Sequence, residues 1–162
     1  MSHIHEKVDF VVGVFVVHAG KVLLRKHDKV KKWIAVGGHI ELDEDPNQAA
    51  LRECKEEIGL DVELVGNPPD ITEPGGKFKE LITPSFMNIH TMHGTDTHQH
   101  IDMIYFARAH TADLYQNNIP EVERVPADNL RWFSESDLDD PQWDLLTTIR
   151  HYAKAALVAA RD

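Results

Sequence analysis

Three glutamates on one predicted helix are the strongest sign of chemistry in this sequence. Glu53, Glu56 and Glu57 lie close together along the chain. At about 100° per residue, Glu57 lies about 40° and Glu56 about −60° from Glu53, so the three carboxylates share one helix face. Carboxylate oxygens are the preferred ligands of hard divalent cations. The spacing therefore predicts a helix face that can hold a metal ion.

The helix that carries these glutamates has start and stop signals. Asp45 is a favourable N-cap, and Pro46 suits the first helical position. Gly59 suits the position just after the last turn. A second face, away from the carboxylates, is apolar and is predicted to enter a core; it consists of Leu51, Cys54 and Ile58.

The carboxylates destabilise the helix that bears them. Glu53 repels Glu57 at i,i+4 and Glu56 at i,i+3, each by about 0.2–0.5 kcal/mol. The helix dipole disfavours anions in the last turn by about 0.3–1 kcal/mol each. A bound cation would relieve this repulsion, so the pattern indicates function. The alternative is a solvated charged face with Arg52 as a partial counter-ion.

The residues around this helix resemble those of a known family. Gly38, five residues, Glu44, seven residues and then the run RECKEEIGL from residue 52 to 60 resemble the Nudix box. All seven fixed positions match. Cys54 stands where the family usually has an aliphatic residue, a place that a small hydrophobic thiol can fill. Before the box, Val36 replaces the proline of the Trp…Pro-Gly-Gly entry that many members have.

The resemblance implies a fold and a reaction. The fold is an α/β/α sandwich with a mixed β-sheet, and the reaction is hydrolysis of a nucleoside diphosphate linked to a moiety X. The cofactor is Mg²⁺, or sometimes Mn²⁺. The implied roles are metal binding by Glu53, Glu56, Glu57 and the backbone of Gly38, orientation of the carboxylates by Arg52, and support of the loop–helix–loop by Glu44 and Gly59.

The general base is open at this stage. A divalent cation neutralises and orients a pyrophosphate and acidifies water, and a carboxylate then accepts the proton. Glu53 or Glu57 could be that base. A carboxylate supplied by a loop, from Glu121, Glu123 or Asp128, is the alternative.

Composition narrows the class of partner. The chain has 162 residues and is expected to form a single domain over residues 1–162. Its net charge of −10 disfavours nucleic acid and anionic membranes. One cysteine cannot form an internal disulfide, and no signal-peptide pattern is present, so we expect a cytoplasmic protein. A homodimer is a further expectation.

Hydrophobic patterns predict the remaining elements. An apolar, β-branched run is predicted to be a buried central strand, and shorter runs predict further strands. An Asp-Pro start signal and an apolar stripe predict a C-terminal helix. The predicted strands are residues 8–17, 22–27, 61–65, 81–92, 98–110 and 130–133, with a Pro/Gly-rich loop at 66–79 and the last helix at 141–160.

Five residues are candidates for substrate binding. Arg25 could bind phosphate, or could be an exposed strand residue. His39 could contact substrate, or could be a loop histidine without function. His100 and Asp102 share one strand face and could line a pocket, although polar residues at a strand end more commonly have no such role. Phe78 lies in the Pro/Gly-rich loop, which is expected to set the choice of X.

Three functions fit the sequence. The first is a pyrophosphohydrolase of a nucleotide sugar or ADP-ribose, and the second is a nucleoside-triphosphate sanitiser of the 8-oxo-dGTP type. The third is a non-catalytic nucleotide-binding module, which the intact box disfavours. Gly75 and Gly76 stand where several ADP-ribose enzymes have a proline, and Lys77 and Phe78 stand where dinucleoside-polyphosphate enzymes have a tyrosine.

Overall fold

The fold is a mixed β-sheet between helical layers. A computed structural model describes residues 4–92, 94, 97–116 and 120–161, with residue 122 described by its backbone alone. The strands are β1 (Val8–His18), β2 (Lys21–Lys26), β3 (Trp33–Ile34), β4 (Val36–His39), β5 (Val62–Leu64), β6 (Phe86–Thr91), β7 (Gln99–Ala109) and β8 (Leu130–Phe133). The helices are α1 (Pro46–Ile58), α2 (Glu135–Asp139) and α3 (Thr147–Ala159), with 3₁₀ turns at Glu121–Glu123, Ala127–Asn129 and Pro141–Trp143.

The sheet is organised around β1. The strand order is β3-β2-β1-β7-β5, and β4, β6 and β8 pair with β1, β7 and β2. β1 and β7 run parallel over ten residue pairs, whereas the other pairings are antiparallel. This confirms the predicted mixed sheet. Within the described residues, no helix is long and apolar enough to cross a bilayer.

The alternating side chains of β1 separate two cores. Val12, Val14 and Val16 pack with residues of α1 such as Ala50 and Ile58. Phe15 and Val17 lie on the opposite face and pack with residues of α3, including Ala153, Ala156 and Leu157. Because β1 is buried on both faces, its sequence is a continuous apolar run, as predicted.

Helix α1 has the predicted bounds but not the whole predicted core face. Cys54 and Ile58 are fully buried, yet Leu51 is 42% exposed, so its assignment to the core was wrong. Ala49 and Ala50 are buried instead, because the helix is rotated toward its small residues. Small side chains allow the helix to approach the sheet closely.

The C-terminal helix starts later than the Asp-Pro signal predicts. Asp140 accepts a hydrogen bond from the Gln142 backbone N–H at 3.0 Å, but the turn that it caps ends at Trp143. Asp144 then adopts a left-handed conformation, φ 47°, and the chain turns before α3 begins at Thr147. Leu145 is buried at this turn. Helix α2, capped by Ser134, was not predicted.

The orientation of α1 can be tested with two substitutions on the same helix. Ile58→Ala should lower the free energy of unfolding by about 2–5 kcal/mol, because it leaves a cavity in a closed core. Leu51→Ala is the matched control and should cost less than about 1 kcal/mol. Urea unfolding of both variants measures the difference, and equal costs would contradict the orientation.

Candidate active site

Helix α1 is held at both ends by the residues that the sequence marks as caps. The Asp45 side chain accepts a hydrogen bond from the Gln48 backbone N–H, and the Gln48 side chain accepts one from the Asp45 backbone N–H, both at 2.9 Å. Gly59 ends the helix in the left-handed conformation, φ 67°. These caps fix which residues of α1 face the sheet.

Arg52 joins the loop before α1 to the carboxylates on the helix. Its Nη2 donates to Glu44 Oε1 at 2.7 Å and to the backbone oxygen of His39 at 3.0 Å. Its Nη1 donates to Glu53 Oε1 at 2.9 Å and to Glu56 Oε2 at 2.8 Å. One guanidinium therefore orients three acidic side chains, which a lysine could not do with the same geometry.

Glu53 is buried against backbone that only glycine allows. Its exposure is 3%, and a Cβ at position 38 would lie 2.3 Å from Glu53 Oε1. The bare backbone of Gly38 thus lets the carboxylate approach. Burial is the largest influence on Glu53 and raises its pKa, although Arg52 opposes the shift.

Glu57 is tied to the sheet by two donors. Its Oε1 lies 3.2 Å from Arg25 Nη1, and its Oε2 accepts a hydrogen bond from the Gly37 backbone N–H at 3.1 Å. Burial still raises the pKa of Glu57 to about 7, more than Arg25 lowers it. Glu53 and Glu57 are therefore not a solvated face; of the three, Glu56 is the most exposed, at 35% of its side chain.

This donor set fits a hard divalent cation. Three carboxylates and the adjacent backbone of Gly38 offer oxygen ligands of the type that Mg²⁺ and Mn²⁺ take. The raised pKa values of Glu53 and Glu57 show that the two neighbouring arginines do not offset the cost of burying negative charge. An added cation would supply the missing positive charge.

The loop carboxylates lie at the C-terminal end of α1. The backbone N–H of Val125 donates to the backbone oxygen of Glu57 at 2.9 Å, so the segment around it is fastened to the helix end. Glu121 and Glu123 lie in the 3₁₀ turn before Val125, and Asp128 lies in the one after it. All three are exposed.

The substrate candidates divide between the two faces of the sheet. Arg25 is not an exposed strand residue, since it faces α1 and pairs with Glu57. His39, His100 and Asp102 instead lie on the α3 face, as the strand register shows: His39 and Asp102 both pair with Val11. His39 is at the end of β4 rather than in a loop, and it is buried. Phe78 is 44% exposed in the long loop.

Sequence patterns did not predict a buried polar cluster on the α3 face. Asp9 is fully buried in β1 and lies near the side chains of His39 and His98. His100 packs its ring against both histidines, with centroids 5.0 and 5.4 Å away. The one signal in the sequence was a single aspartate inside an otherwise apolar strand. Burial and the neighbouring imidazoles lower the pKa of His100 to about 4.

Comparison with known proteins agrees with this geometry. The NUDIX domain model matches residues 8–153. The chain belongs to the Nudix family. It is a hydrolase that acts on pyrophosphate bonds. Comparison with the curated proteins gave no match.

Solved structures similar to this Nudix chain cover nearly its whole length. A NUDIX-family hydrolase from Clostridium perfringens is 35% identical, with a TM-score of 0.78 and coverage of 94% of this chain and 98% of that one. A MutT NUDIX hydrolase from Burkholderia pseudomallei is 22% identical, with a TM-score of 0.59 and coverage of 96% and 100%. An ADP-ribose pyrophosphatase from Streptococcus suis is 19% identical, with a TM-score of 0.53 and coverage of 95% and 92%. The last two share the fold.

Mg²⁺ should stabilise the folded protein through the box carboxylates. Binding to the folded chain alone adds RT ln(1 + [L]/Kd), about 1.4 kcal/mol at a tenfold excess over Kd. This corresponds to a rise in Tm of roughly 3–6 °C for a domain of this size. Calorimetry with Mg²⁺, with EDTA and with Na⁺ at matched ionic strength measures it. The double variant Glu53→Gln/Glu57→Gln should respond little; an equal gain would place the ion elsewhere.

Asp102 should make stability fall as pH rises. Burial raises its pKa from 3.8 to about 7, so the folded state favours the neutral acid. This stabilisation is complete below the unfolded pKa and is lost as pH rises through 7. In EDTA, Asp102→Asn should therefore raise the free energy of unfolding by roughly 1–3 kcal/mol at pH 8 and by little at pH 4. Exposed Asp113→Asn is the control. A pH-independent difference between Asp102→Asn and wild type would contradict the burial effect.

Proposed function

We propose that this Nudix hydrolase is a Mg²⁺-dependent pyrophosphohydrolase that cleaves a nucleoside diphosphate linked to X, such as a nucleotide sugar or ADP-ribose. The products are a nucleoside monophosphate and X-phosphate. The observation that carries the proposal is the placement of Glu53 and Glu57, buried side by side against the Gly37–Gly38 backbone with Arg52 and Arg25 holding them. Mn²⁺ could replace Mg²⁺ at such oxygen ligands.

The side chains of the site would have different roles in hydrolysis. Water attacks one phosphorus of the diphosphate, the bond to the bridging oxygen breaks, and the released proton passes to a carboxylate. Bound Mg²⁺ would neutralise the diphosphate and acidify the attacking water. Arg52 keeps Glu53 and Glu56 in place, and Glu44 in turn anchors Arg52 through its carboxylate.

Glu57 and Glu53 are our first candidates for the general base. Each has a fixed orientation and, without metal, a pKa raised by burial. The glutamate that does not bind Mg²⁺ would keep the basicity that a general base needs. A carboxylate from Glu121, Glu123 or Asp128 is the alternative, because this segment is fastened to the backbone at Glu57. The exposed side chains of this segment would have to turn toward the substrate.

The loop between β5 and β6 is proposed to set the choice of X. It docks on the first turn of α1, where the Asn47 side chain bonds the backbone N–H and oxygen of Ile82 at 2.8 and 2.9 Å. Lys79 Nζ also lies 3.2 Å from Asp45 Oδ2. Residues 66–69 and 80–83 line a groove within the loop. Because this loop is docked on α1, its residues can contact the X group of a substrate whose phosphates lie at the carboxylates of the same helix.

A nucleoside-triphosphate sanitiser is the second candidate. The polar face of β7, with the partly buried Asp102 and the buried His100, could donate hydrogen bonds to a base or accept them from it. A non-catalytic binding module is disfavoured because all three box glutamates are present and oriented. The proposed partner is a small nucleotide rather than nucleic acid or membrane, since the net charge is −10. We also propose a cytoplasmic location. We propose in addition that the protein forms a homodimer, and light scattering would test this by measuring the molar mass in solution.

Removing one box charge at a time tests the catalytic assignment. Glu53→Gln and Glu57→Gln should each lower kcat by at least about 10²-fold, about 2.7 kcal/mol in the transition state, while circular dichroism shows a persistent fold. Glu63→Gln, on the exposed side of β5, is the matched control and should keep full activity. The readout is a panel of nucleotide sugars, ADP-ribose and nucleoside triphosphates with Mg²⁺, with products separated by chromatography. Near-wild-type turnover in both box variants would falsify the assignment.

The loop can be tested separately from the metal site. Phe78→Ala/Lys79→Ala should change the ranking of substrates on the same panel more than it changes the Mg²⁺ concentration that gives half-maximal rate. Exposed Val158→Ala on α3 serves as the control. If the ranking of substrates stays unchanged, the determinants of X lie elsewhere, and the β7 face is the next region to test.

A further inference from the structure

The buried polar cluster on the α3 face consists of Asp9, His39, His98 and His100, and we call it the Asp–His cluster. All four residues are at most 9% exposed. They come from three neighbouring strands: Asp9 from β1, His39 from β4, and His100 from β7, with His98 just before β7. Asp9 pairs with His100 in the parallel register. The cluster therefore lies on the opposite face of the sheet from the box carboxylates.

The distances within the cluster require a shared proton or a metal ion. Asp9 Oδ2 lies 3.2 Å from His98 Nε2 and 3.2 Å from His39 Nε2. His98 Nδ1 lies 3.2 Å from the backbone oxygen of Glu6, which only accepts hydrogen bonds, so this nitrogen carries the hydrogen. A neutral His98 then directs the lone pair of Nε2 at the carboxylate. Either a proton, on the ring or on the Asp9 carboxyl group, or a metal ion must lie between these two atoms.

The spacing matches the edges of a tetrahedral metal site. With metal–ligand bonds of about 2.0–2.1 Å, the ligand atoms of tetrahedral Zn²⁺ lie about 3.3–3.4 Å apart. The 3.2 Å distance between Asp9 Oδ2 and His98 Nε2 is close to this value. Ligand atoms of Asp9, His98 and His100 all lie within 4.8 Å of one another. Among the residues that the structure describes, no other three histidine, cysteine or acidic side chains lie this close together.

The outer contacts are also those of a metal site. Metal-bound histidines usually donate their second ring nitrogen to a carbonyl or carboxylate, which fixes the ring. His98 has this arrangement with Glu6. Asp9 Oδ1 accepts a hydrogen bond from the His5 backbone N–H at 2.7 Å, which leaves Oδ2 directed into the cluster.

We propose that the Asp–His cluster is a second metal site, one that binds Zn²⁺ or a similar transition metal through Asp9, His98 and His100, with water as the fourth ligand. Imidazole-rich sites select Zn²⁺, Co²⁺ or Ni²⁺, whereas the all-oxygen box site suits Mg²⁺. Because all three protein ligands are buried in the sheet, the role that we propose for the ion is structural rather than catalytic. It would fasten β1, β7 and the segment just before β7 to one another. This proposal does not depend on the substrate or on catalysis at the box.

The test uses the untagged, full-length protein after chelation and dialysis. Addition of Co²⁺ should give the visible absorption of a tetrahedral complex, and calorimetry with Zn²⁺ should show about one tight site per chain. Micromolar Zn²⁺ should raise Tm, whereas the same concentration of Mg²⁺ should not. A wild-type protein with no such spectrum and no tight Zn²⁺ site would overturn the proposal and leave the cluster held by protons alone.

Variants locate the site. Asp9→Asn and His98→Gln should each weaken Zn²⁺ binding by at least about 10-fold. Exposed His110→Gln is the matched control for imidazole loss and should bind like wild type. Glu53→Gln/Glu57→Gln removes the box charges and should also keep the Zn²⁺ site. If the box variant loses Zn²⁺ binding while His98→Gln keeps it, the ion is bound at the box and the proposal fails. The Co²⁺ spectrum of wild type decides the matter even if Asp9→Asn does not fold.

Discussion

The arrangement of the candidate active site depends on the hydrogen bonds of the Arg52 guanidinium. It joins the loop before α1, through Glu44 and the His39 backbone, to Glu53 and Glu56 on the helix. Each charge-assisted hydrogen bond of this kind contributes more than a neutral one. Without it, Glu53 would be a buried carboxylate with little to offset its desolvation, and the loop and helix would lose their shared anchor. One side chain therefore both packs the loop against the helix and arranges the carboxylates.

This arrangement places function in conflict with stability. Glu57 and Asp102 are partly buried acids, one packed against each face of the sheet, and this burial raises the pKa of each to about 7. A protein selected for stability alone would put neutral side chains at these positions. Each face of the sheet therefore carries an acid whose charged form is disfavoured by burial, Glu57 from α1 and Asp102 from β7. The well-packed valines of β1 and the caps of α1 provide the stability that offsets this cost.

Local rules predicted α1, because its caps, its glycine stop and its acidic face all lie within residues 45–59. They predicted β1, since an apolar, β-branched run of that length strongly favours a buried strand. They did not predict the rotation of α1 that exposes Leu51, which depends on how closely Ala49 and Ala50 approach the sheet. The break at Asp144 also depends on tertiary packing, because Leu145 is buried there.

The part of the site that lies on one helix could be predicted from the sequence. The part that is assembled from strands distant in sequence could not be predicted. Glu53, Glu56 and Glu57 share one helix, so their common face follows from helical geometry. Arg25 reaches Glu57 only through the pairing of β1 with β2 and β4. Asp9 and His98 are 89 positions apart, and nothing near either residue indicates the other.

His39 makes contacts on both sides of the sheet, one through its backbone and one through its ring. Its backbone oxygen accepts a hydrogen bond from Arg52, and its ring lies beside Asp9. Any amino acid can supply a carbonyl, so the anchor of the box does not depend on which side chain occupies position 39. A substitution at position 39 would therefore alter the Asp–His cluster on one face of the sheet while the backbone anchor of Arg52 on the other face stays in place.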